Sequence, residues 1–299
     1  MPCSEFKLIA GLKKFQNLSA RVVHGIGDDA AVLELDARRY QLFTADMIVE
    51  GVHFVSGTPA RLVGHKALAC NISDIAAMGG SPTCAVISLG LPAGLPVSYV
   101  NGLYAGMRAL AQKFGVSIVG GDTVRSAQLV INIALLGEIE KKRLVLRSGA
   151  RPGDLVFVTG PLGGTLQSGK HLNFIPRVKE ARFLTEHFKP SAMMDISDGL
   201  AGDLGHILKA SRVGAVIQAA QVPLNKGVGL AEALHGGEDF ELVFCLASLK
   251  AHKLLQYARS RGACRFYEIG RIVAGPQKLA LADQFGRCRM IELKGYTHF

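Results

Sequence analysis

Apolar residues in the first half of the chain fall into short runs and into longer runs with helical spacing. The short runs, which are typical of strands, lie at residues 40–44, 84–89, 117–119 and 129–137. The longer runs predict helices at residues 59–78 and 97–114. The first strand leads to Asp46 at its end, and the spacing of Cys70, Asp74 and Met78 places these side chains on one helical face. This alternation is typical of an α/β domain.

The second half repeats the alternation after a segment rich in helix and strand breakers, Arg147-Ser148-Gly149-Ala150-Arg151-Pro152-Gly153-Asp154. Strands are predicted at residues 155–159, 215–219, 240–246 and 266–272. Helices are predicted at residues 177–188, from the Asp195 segment to residue 208, and at residues 249–261. We therefore expect two α/β domains of similar size, an N-terminal domain over residues 1–145 and a C-terminal domain over residues 146–299.

Composition excludes several classes of protein. A hydrophobic content of 49%, a charged content of 19% and a mean hydropathy of +0.26 describe a packed globular chain. No uncharged apolar run is long enough for a membrane span, and no secretory signal is evident at the N-terminus. The six cysteines form no CxxC pair and no Cys/His metal spacing, which favours free thiols in a reducing compartment. We expect a cytoplasmic protein with no membrane partner.

The formal net charge of +10 raises the question of nucleic-acid binding. The basic residues are dispersed, however, and they do not interleave with aromatic residues as in RNA-binding segments. A basic surface that attracts anionic nucleotides explains the charge more simply. We expect no nucleic-acid partner.

Short acidic clusters flanked by Gly or by apolar residues carry the clearest chemical signal. They are Gly27-Asp28-Asp29, Thr44-Ala45-Asp46, Asn71-Ile72-Ser73-Asp74, Gly120-Gly121-Asp122-Thr123, Asp195-Ile196-Ser197-Asp198-Gly199 and Gly236-Gly237-Glu238-Asp239. Their positions predict carboxylates at element ends that face a common cleft. Converging carboxylates repel one another unless cations lie between them, and hard oxygen ligands suit Mg²⁺. The pattern predicts a site for several Mg²⁺ ions and a phosphorylated substrate.

Each cluster taken alone also has a simpler explanation. Gly27-Asp28-Asp29 is typical of a surface turn, and Gly120-Gly121-Asp122-Thr123 is equally compatible with a hairpin turn. The Asp195 segment can be a helix N-cap, and His53 can be a packed histidine. Asp74 is harder to explain in this way, because a carboxylate on an apolar helix face needs a partner. The recurrence of the pattern favours a common site.

One segment imitates a different phosphate site. Gly164-Thr165-Leu166-Gln167-Ser168-Gly169-Lys170-His171 almost matches the phosphate-binding P-loop and follows a predicted strand. That motif ends in Ser or Thr, whose hydroxyl binds Mg²⁺, whereas this segment ends in His171. No strand that ends in a second Mg²⁺-binding Asp follows at a natural distance. We interpret the segment as a flexible loop over the cleft.

The acidic motifs, in this order, resemble the thiamine-phosphate kinase family of the aminoimidazole-ribonucleotide synthetase-like superfamily. Further matching segments are Glu50-Gly51-Val52-His53-Phe54, residues 66–79, residues 147–154 and Lys294-Gly295-Tyr296-Thr297-His298-Phe299. The resemblance spans the whole chain. It implies a two-domain fold of the α/β (α+β) class, in which an N-terminal mixed sheet contributes to a dimeric β-barrel and a C-terminal α/β domain completes the nucleotide and substrate site.

The resemblance also implies ATP-dependent phosphorylation of thiamine monophosphate to thiamine diphosphate by a homodimer, with several Mg²⁺ ions and direct in-line transfer. The family's catalytic acids fall on Asp29, Asp46, Asp74, Asp122 and Asp198. Its metal ligands fall on Asp29, Thr44, Ala45, Asp46, Asp74, Asp122, Asp195 and Asp198. Its nucleotide contacts fall on Tyr104, Gly121, Asp122, Arg147 and Ser197. Its thiamine contacts fall on His53, Glu238 and Tyr296.

Ala45 departs from the family pattern, since relatives often carry Thr there, so a metal contact at this position requires the backbone carbonyl. Two alternatives stay open. Another enzyme of the superfamily is one, although selenophosphate synthesis would want a reactive cysteine near the N-terminus, where Cys3 is the candidate. A non-catalytic protein that binds nucleotides or RNA is the other.

Overall fold

The computed structural model describes residues 5–261 and 265–297, and the first of its two sheets lies in the N-terminal half. The strands of this sheet are β1 (Val22–His24), β2 (Ala31–Glu34), β3 (Arg39–Val49), β4 (Ser81–Leu91), β5 (Ser117–Arg125) and β6 (Val130–Glu140). The helices of this half are α1 (Glu5–Leu12), α2 (Ala60–Ala77) and α3 (Val97–Phe114). The strand order is β1-β2-β3-β6-β4-β5, and β4 and β5 are the parallel pair.

The second sheet lies in the C-terminal half. Its strands are β7 (Leu155–Val158), β8 (Ala192–Asp195), β9 (Gly214–Gln218), β10 (Leu242–Leu246), β11 (Tyr267–Val273), β12 (Leu279–Ala282) and β13 (Cys288–Ile291). The helices are α4 (Thr165–Ser168), α5 (Val178–His187), α6 (Leu200–Ser211), α7 (Leu230–His235) and α8 (Ser248–Arg261). The order is β13-β12-β9-β11-β7-β10-β8, and β12 pairs parallel to β9. The prediction of two α/β halves is therefore confirmed.

Helix α2 lies between the two halves and is buried along most of its length. It packs on the first sheet, on α3, on α5 and on β8. Its small and apolar residues allow this, because a helix that is apolar on all sides belongs in a core. Gly64 faces the backbone of Leu103, where an added Cβ would lie 2.0 Å from the carbonyl oxygen, so α2 and α3 cross at very short range. This burial fixes every side chain that α2 presents to the site.

The first sheet has one covered face and one open face. Even-numbered residues of β3, such as Leu42 and Ile48, are buried under the helices, whereas odd-numbered residues face away. The open face carries partly exposed apolar side chains, namely Phe43 at 44%, Met47 at 54%, Val86 at 41% and Val124 at 56%. Among the described residues, no helix combines the length and the apolar character that crossing a membrane requires.

Several predicted bounds were wrong. Strand β3 continues to Val49, so Asp46 lies inside a strand and not at its end. The Gly-Gly-Asp-Thr segment is likewise part of β5 and forms no turn, because β5 pairs with β4 through Arg125 and a β-bulge lies near Val119. The sequence pattern also missed the short elements α1, α4, α7, β1, β2, β8, β12 and β13. The predicted division between residues 145 and 146 lies between β6 and β7 and stays a prediction.

Candidate active site

Four buried or half-buried carboxylates from four different segments meet between the two halves of the chain. We call them the acidic cluster, and its members are Asp29, Asp46, Asp74 and Asp195. The first follows the turn after β1, the second lies in β3, the third is on α2 and the fourth ends β8. Carboxylate oxygens of Asp29, Asp74 and Asp195 lie within 4.8 Å of one another. The predicted convergence of these acids therefore holds within one chain.

Burial and mutual repulsion make these acids hard to ionise together. Burial first, and then the charges of Asp29 and Asp198, raise the pKa of Asp46 to about 6. Burial and the charge of Asp29 raise the pKa of Asp195 to about 8, against a smaller lowering by the Ser73 hydroxyl. Burial and the charge of Asp46 raise the pKa of Asp74 well above its usual range. Without a cation these acids therefore resist full ionisation, because the protein compensates their negative charge only in part.

The atoms around the cluster fit a bound cation. Arg147 donates from Nη2 to Oδ1 of Asp29 at 2.8 Å, yet the other oxygen, Oδ2 of Asp29, is buried and has no hydrogen-bond partner among the described residues. Within the same part of the chain, the buried Nε atom of Arg147 has no partner either. Buried polar atoms are normally paired, so an unpaired acceptor beside an unpaired donor indicates a missing ligand. Carboxylate oxygens suit Mg²⁺, which can bind phosphate oxygens at the same time.

Several residues that support the acids were missed in the sequence. Asn71 accepts from the backbone N–H of Asp46 at 3.1 Å, and Ser73 donates to Asp195 at 2.6 Å. Thr44, a predicted metal ligand, donates to Asp74 at 2.5 Å. Asn71 and Ser73 lie in the Asn-Ile-Ser-Asp motif, whose helical spacing could have identified them as supports. Their hydrogen bonds orient the carboxylates toward a common centre.

The start of α6 adds a further buried acid. Asp203 is 1% exposed and accepts hydrogen bonds from the backbone N–H groups of Asp198 and Gly199, each at 3.1 Å. An acid in the first turn that reaches back to free N–H groups is a known way to cap a helix. Asp203 therefore holds the turn that carries Ser197 and Asp198.

Two cavities share the acidic cluster as a common wall. Asp46, Asp74, Asp195, Ser197 and Asp198 line both of them. The larger cavity has a volume of about 580 Å³ and is also lined by the cationic side chains of Lys13, Arg147 and Lys209. The smaller one has a volume of about 310 Å³ and extends toward His53, Glu238 and Tyr296. The predicted thiamine-binding residues thus lie together at one end, and a basic region lies at the other.

Each of the three predicted thiamine contacts is held differently. The backbone N–H of Val49 donates to Nδ1 of His53 at 3.0 Å, which fixes the ring beside the end of β3. Glu238 forms a salt bridge with Lys66 of α2. Tyr296 has 49% of its surface exposed, and its backbone N–H donates to the carbonyl of Asp198 at 2.9 Å. His298 and Phe299, the last residues of that motif, lie outside the described residues.

The structure does not bring Tyr104, Gly121 and Asp122 into these cavities of the same chain. Hydrogen-bonded register runs from Asp46 through Ile133 and Ile87 to Gly121, which is three strand spacings or about 14 Å. Asp122 is the next residue, so its side chain points to the open face, opposite to that of Asp46. Gly121 itself lies against β4, where a Cβ would meet the carbonyl of Ile87 at 1.8 Å.

Ala45 and Tyr104 are two further residues that were predicted to belong to the site. Ala45 is an odd-numbered residue of β3, so its Cβ faces away from the acidic cluster although the residue borders the larger cavity. Tyr104 lies on α3 and lines a separate surface cavity of about 420 Å³ with Arg108 of α3 and Ile118 of β5. The side chain of Ala45 and the whole of Tyr104 thus lie away from the acidic cluster.

The P-loop-like segment is not built as a phosphate site. Lys170 donates to the buried Glu241 at 3.1 Å, and Arg177 donates to the same carboxylate with two nitrogens at 2.6 Å each. Thr159 completes the set with a 2.8 Å hydrogen bond. We call these four residues the paired cluster. Helix α4 after the Gly pair is only four residues long, and the interpretation of the segment as something other than a P-loop agrees with this geometry.

Comparisons with known proteins identify the family of the chain. The family model described as AIR synthase related protein, N-terminal domain, matches residues 27–139, and the C-terminal domain model matches residues 151–281. The chain is 33% identical to the thiamine-monophosphate kinase of Bacillus subtilis (strain 168), over 99% of both chains. It is 34% identical to that of Aquifex aeolicus (strain VF5), over 99% of this chain and 98% of the relative. A solved structure of AaThiL complexed with AMPPCP and TMP covers 99% of this chain and 97% of its own, with 33% identity and a TM-score of 0.84.

The two sheets, the shared acidic wall and the two domain matches define a two-domain AIR synthase related protein. Within that class, the chain belongs to the thiamine-monophosphate kinase family, because members of that family match it at about one third identity over their full length. The predicted resemblance and the predicted fold are thus confirmed. A barrel shared by two subunits stays a prediction.

Proposed function

We propose that this protein transfers the terminal phosphoryl group of ATP to thiamine monophosphate and forms thiamine diphosphate, the last step of thiamine diphosphate biosynthesis. The observation that carries the proposal is the pair of cavities with one acidic wall. A phosphoryl transfer between two phosphorylated molecules needs both of them at one place where their negative charges are neutralised. ATP would occupy the larger cavity and thiamine monophosphate the smaller one.

The chain's own residues bind and position the two substrates. Arg147 supplies a fixed positive charge in the larger cavity, suited to nucleotide phosphates. His53, Glu238 and Tyr296 receive the thiamine part, and the exposed ring of Tyr296 offers an aromatic face to a thiazolium cation. Transfer is in line and needs no general base, because the acceptor is a phosphate that is largely ionised near neutral pH. Catalysis is then mainly positioning.

Two observations support Mg²⁺ in the acidic cluster. Oδ2 of Asp29 has no hydrogen-bond partner among the described residues, and Asp46, Asp74 and Asp195 each have like-charged neighbours. These four acids, with Thr44 and Asp198 beside them, are the residues that would hold it. Bound Mg²⁺ neutralises phosphate charge and orients the reacting phosphates. Asp46, Asp74, Asp195 and Asp198 line both cavities, so a cation held by them would lie between the two substrates.

We also propose that the protein is a homodimer in which the partner subunit contributes to each site. The uncovered face of the first sheet carries exposed apolar side chains, which a second copy would bury. Asp122 lies on that same face, on the edge strand β5. Asp122, Gly121 and Tyr104 lie away from the cavities of their own chain, so a site that uses them needs them from another copy.

The free thiols support a cytoplasmic location. Cys70 and Cys245 are buried and unbridged, and Cys84 and Cys288 are also free. Such cysteines persist in a reducing compartment. Cys3 and Cys264 lie outside the described residues.

The function is tested by coupled ADP release with ATP and Mg²⁺, using thiamine monophosphate, other phosphate acceptors or no acceptor. We expect turnover with thiamine monophosphate and at most slow ATP hydrolysis without it. Equal ADP release with every acceptor, or none with thiamine monophosphate, would refute the proposed reaction.

The shared site is tested by mixing two inactive variants, Asp74→Asn and Asp122→Asn, after reversible dissociation. If Asp122 acts in the partner's site, a mixed dimer keeps one intact site, and random pairing restores about a quarter of the wild-type activity. Mixing either variant with itself is the control. No recovery in the mixture, with dimers verified by light scattering, would mean that Asp74 and Asp122 do not act on opposite sides of an interface.

A further inference from the structure

Lys66 is the most deeply buried long cationic side chain of α2, with no exposed surface. An ammonium group in such a place is costly unless it is fully paired. Its three N–H donors have three acceptors, namely the carbonyl of His53 at 2.7 Å and both carboxylate oxygens of Glu238, one of them at 2.6 Å. All the donors of the group are thus used. Lys66 has none left for a substrate, although it borders the smaller cavity.

The acceptors of Lys66 belong to two distant segments that both line the smaller cavity. The carbonyl of His53 lies in the turn after β3, and Glu238 lies in the turn before β10. One side chain of α2 therefore ties a turn of the N-terminal half to a turn of the C-terminal half. These are the segments of two predicted thiamine contacts.

The Glu238 turn is conformationally strained. Glu238 and Phe240 have φ angles of +68° and +50°, a region that L residues other than Asn and Asp rarely adopt. Such a conformation persists when the surroundings determine it, and it is frequent at ligand-binding sites. The backbone N–H of Glu238 donates to Ser197 at 2.6 Å, and that of Phe240 donates to Ile196 at 2.8 Å. The Lys66 salt bridge adds a side-chain tether to this turn.

Helix α2 also connects the salt bridge with the acidic cluster. Lys66, Cys70 and Asp74 lie at positions i, i+4 and i+8, and all three line the smaller cavity. Eight residues of helix span about 12 Å. The rigid, buried helix thus fixes the distance between the Glu238 end of the cavity and the end where the phosphoryl group is transferred.

We propose that Lys66 is a positioning residue for the acceptor substrate, which rests on the proposed function. It holds Glu238 and the His53 turn in place before the substrate binds, and it does not touch the substrate itself. Glu238 is 21% exposed, and its oxygens keep lone pairs for hydrogen bonds to the thiamine part. Since Lys66 already compensates the charge of Glu238, recognition at this end depends on hydrogen-bond geometry more than on charge neutralisation. Such preorganisation acts on substrate affinity.

The test is a double-mutant cycle of Lys66→Met, Glu238→Gln and the combined variant in the full-length protein. Lys66→Met should raise the KM for thiamine monophosphate at least about tenfold, while kcat and the KM for ATP change less than about threefold. Because Lys66 acts through Glu238, the combined variant should have a KM for thiamine monophosphate no higher than that of the worse single variant.

Thermal melts separate positioning from stability. Lys66→Met leaves a partly buried carboxylate without its cation, so its Tm should fall, and the combined variant should regain part of that loss without regaining affinity for thiamine monophosphate. Arg182→Met is the matched control, because Arg182 joins the two halves through Glu140 away from both cavities. It should lower the Tm without changing the KM for thiamine monophosphate.

Four outcomes would overturn the role of Lys66. They are an unchanged KM for thiamine monophosphate in Lys66→Met, an equal rise of both KM values, recovery of the wild-type KM in the combined variant, and the same KM effect from Arg182→Met. If Lys66→Met does not fold, the combined variant is compared with Glu238→Gln, and an equal rise of both KM values between these two variants overturns the proposal. A wild-type protein inactive on thiamine monophosphate would instead refute the proposed function, and this inference with it.

Discussion

Asp195 of the acidic cluster and Glu241 of the paired cluster are similarly buried, but the two clusters differ in the source of their opposite charge. Asp195 is 3% exposed and Glu241 is 1% exposed. Glu241 has two basic partners from its own chain, Lys170 and Arg177. In the acidic cluster, burial and then like charges raise the pKa of the acids, and among the described residues Arg147 forms its salt bridge with Asp29 alone. Of these two clusters, the one whose acids lack counter-charge lines the two cavities and the paired one does not, so burial by itself does not mark a ligand site.

The largest expected effect comes from Asp74→Asn, which breaks the acidic cluster. Activity should fall by at least about a thousandfold even at saturating Mg²⁺, because an anionic ligand at the reacting phosphates is lost. The unfolding free energy of the metal-free protein should hold or rise, since one source of repulsion is removed. Turnover assays and urea unfolding measure the two effects. Near-normal turnover would contradict the reading of this cluster as a metal site.

Glu241→Gln is the matched change in the paired cluster and should act in the opposite way. It leaves Lys170 and Arg177 without their carboxylate, so stability should fall by about 3 kcal/mol. Activity per folded molecule should change far less than in Asp74→Asn. If Glu241→Gln abolished turnover without lowering stability, the distinction between the two clusters would be wrong.

The next largest effect is the coupling of pH, Mg²⁺ and stability. The folded-state pKa values of Asp46 and Asp195, about 6 and about 8, lie above the ordinary value of 3.8. Their contribution to stability is complete below that ordinary value and is lost as the pH rises through 6 and 8. Without divalent cations, the unfolding free energy should therefore fall from near the ordinary value of 3.8 up to about pH 8, with the steepest fall below about pH 6, where both acids contribute.

Mg²⁺ should reverse this loss most strongly at high pH, because it competes with protons for the same oxygens. At a hundred times its dissociation constant it would add about 2.7 kcal/mol. Urea unfolding at several pH values, with EDTA or with Mg²⁺, measures both trends, and Asp74→Asn is the control that should weaken them. A Mg²⁺ effect independent of pH and unchanged in that variant would exclude the acidic cluster as its origin.

The parts of the site that could be predicted from the sequence lie in local motifs. The parts that could not be predicted depend on contacts between residues far apart in the sequence. Asp29, Asp46, Asp74 and Asp195 were recognised because each lies in a short local motif, and the structure brings them together. The same local pattern also predicted Asp122 as a member of the site. Its place on the open sheet face depends on the strand register, which no local motif encodes. Two ion pairs could not be predicted either, because their residues are far apart in the sequence. Lys170 and Glu241 are about 70 residues apart, and Lys66 and Glu238 are about 170 residues apart.

Glu238 is an intermediate case between the acidic cluster and the paired cluster, because it has a basic partner and still lines a cavity. Glu238→Gln and Tyr296→Ala should each raise the KM for thiamine monophosphate about tenfold and change the KM for ATP much less, since neither residue is near the basic end of the larger cavity. Steady-state kinetics with each substrate varied in turn measures this. Equal weakening of both substrates would mean that the C-terminal segment is structural and that the pocket assignment is wrong.

The smallest effect on activity is expected from Lys170→Ala. In a true P-loop this lysine would contact the transferred phosphate, and its loss would remove most of the activity. Here Lys170 is paired with Glu241, which keeps the bidentate Arg177 as its second cation, so the carboxylate is not left uncompensated. Turnover should therefore fall less than about tenfold, or 1.4 kcal/mol in the barrier, with a modest loss of Tm. Arg177→Ala is the control and should lower the Tm more, because it removes two hydrogen bonds from the same acid. Collapse of ATP binding in Lys170→Ala, with the Tm maintained, would show that the paired cluster holds a phosphate site after all.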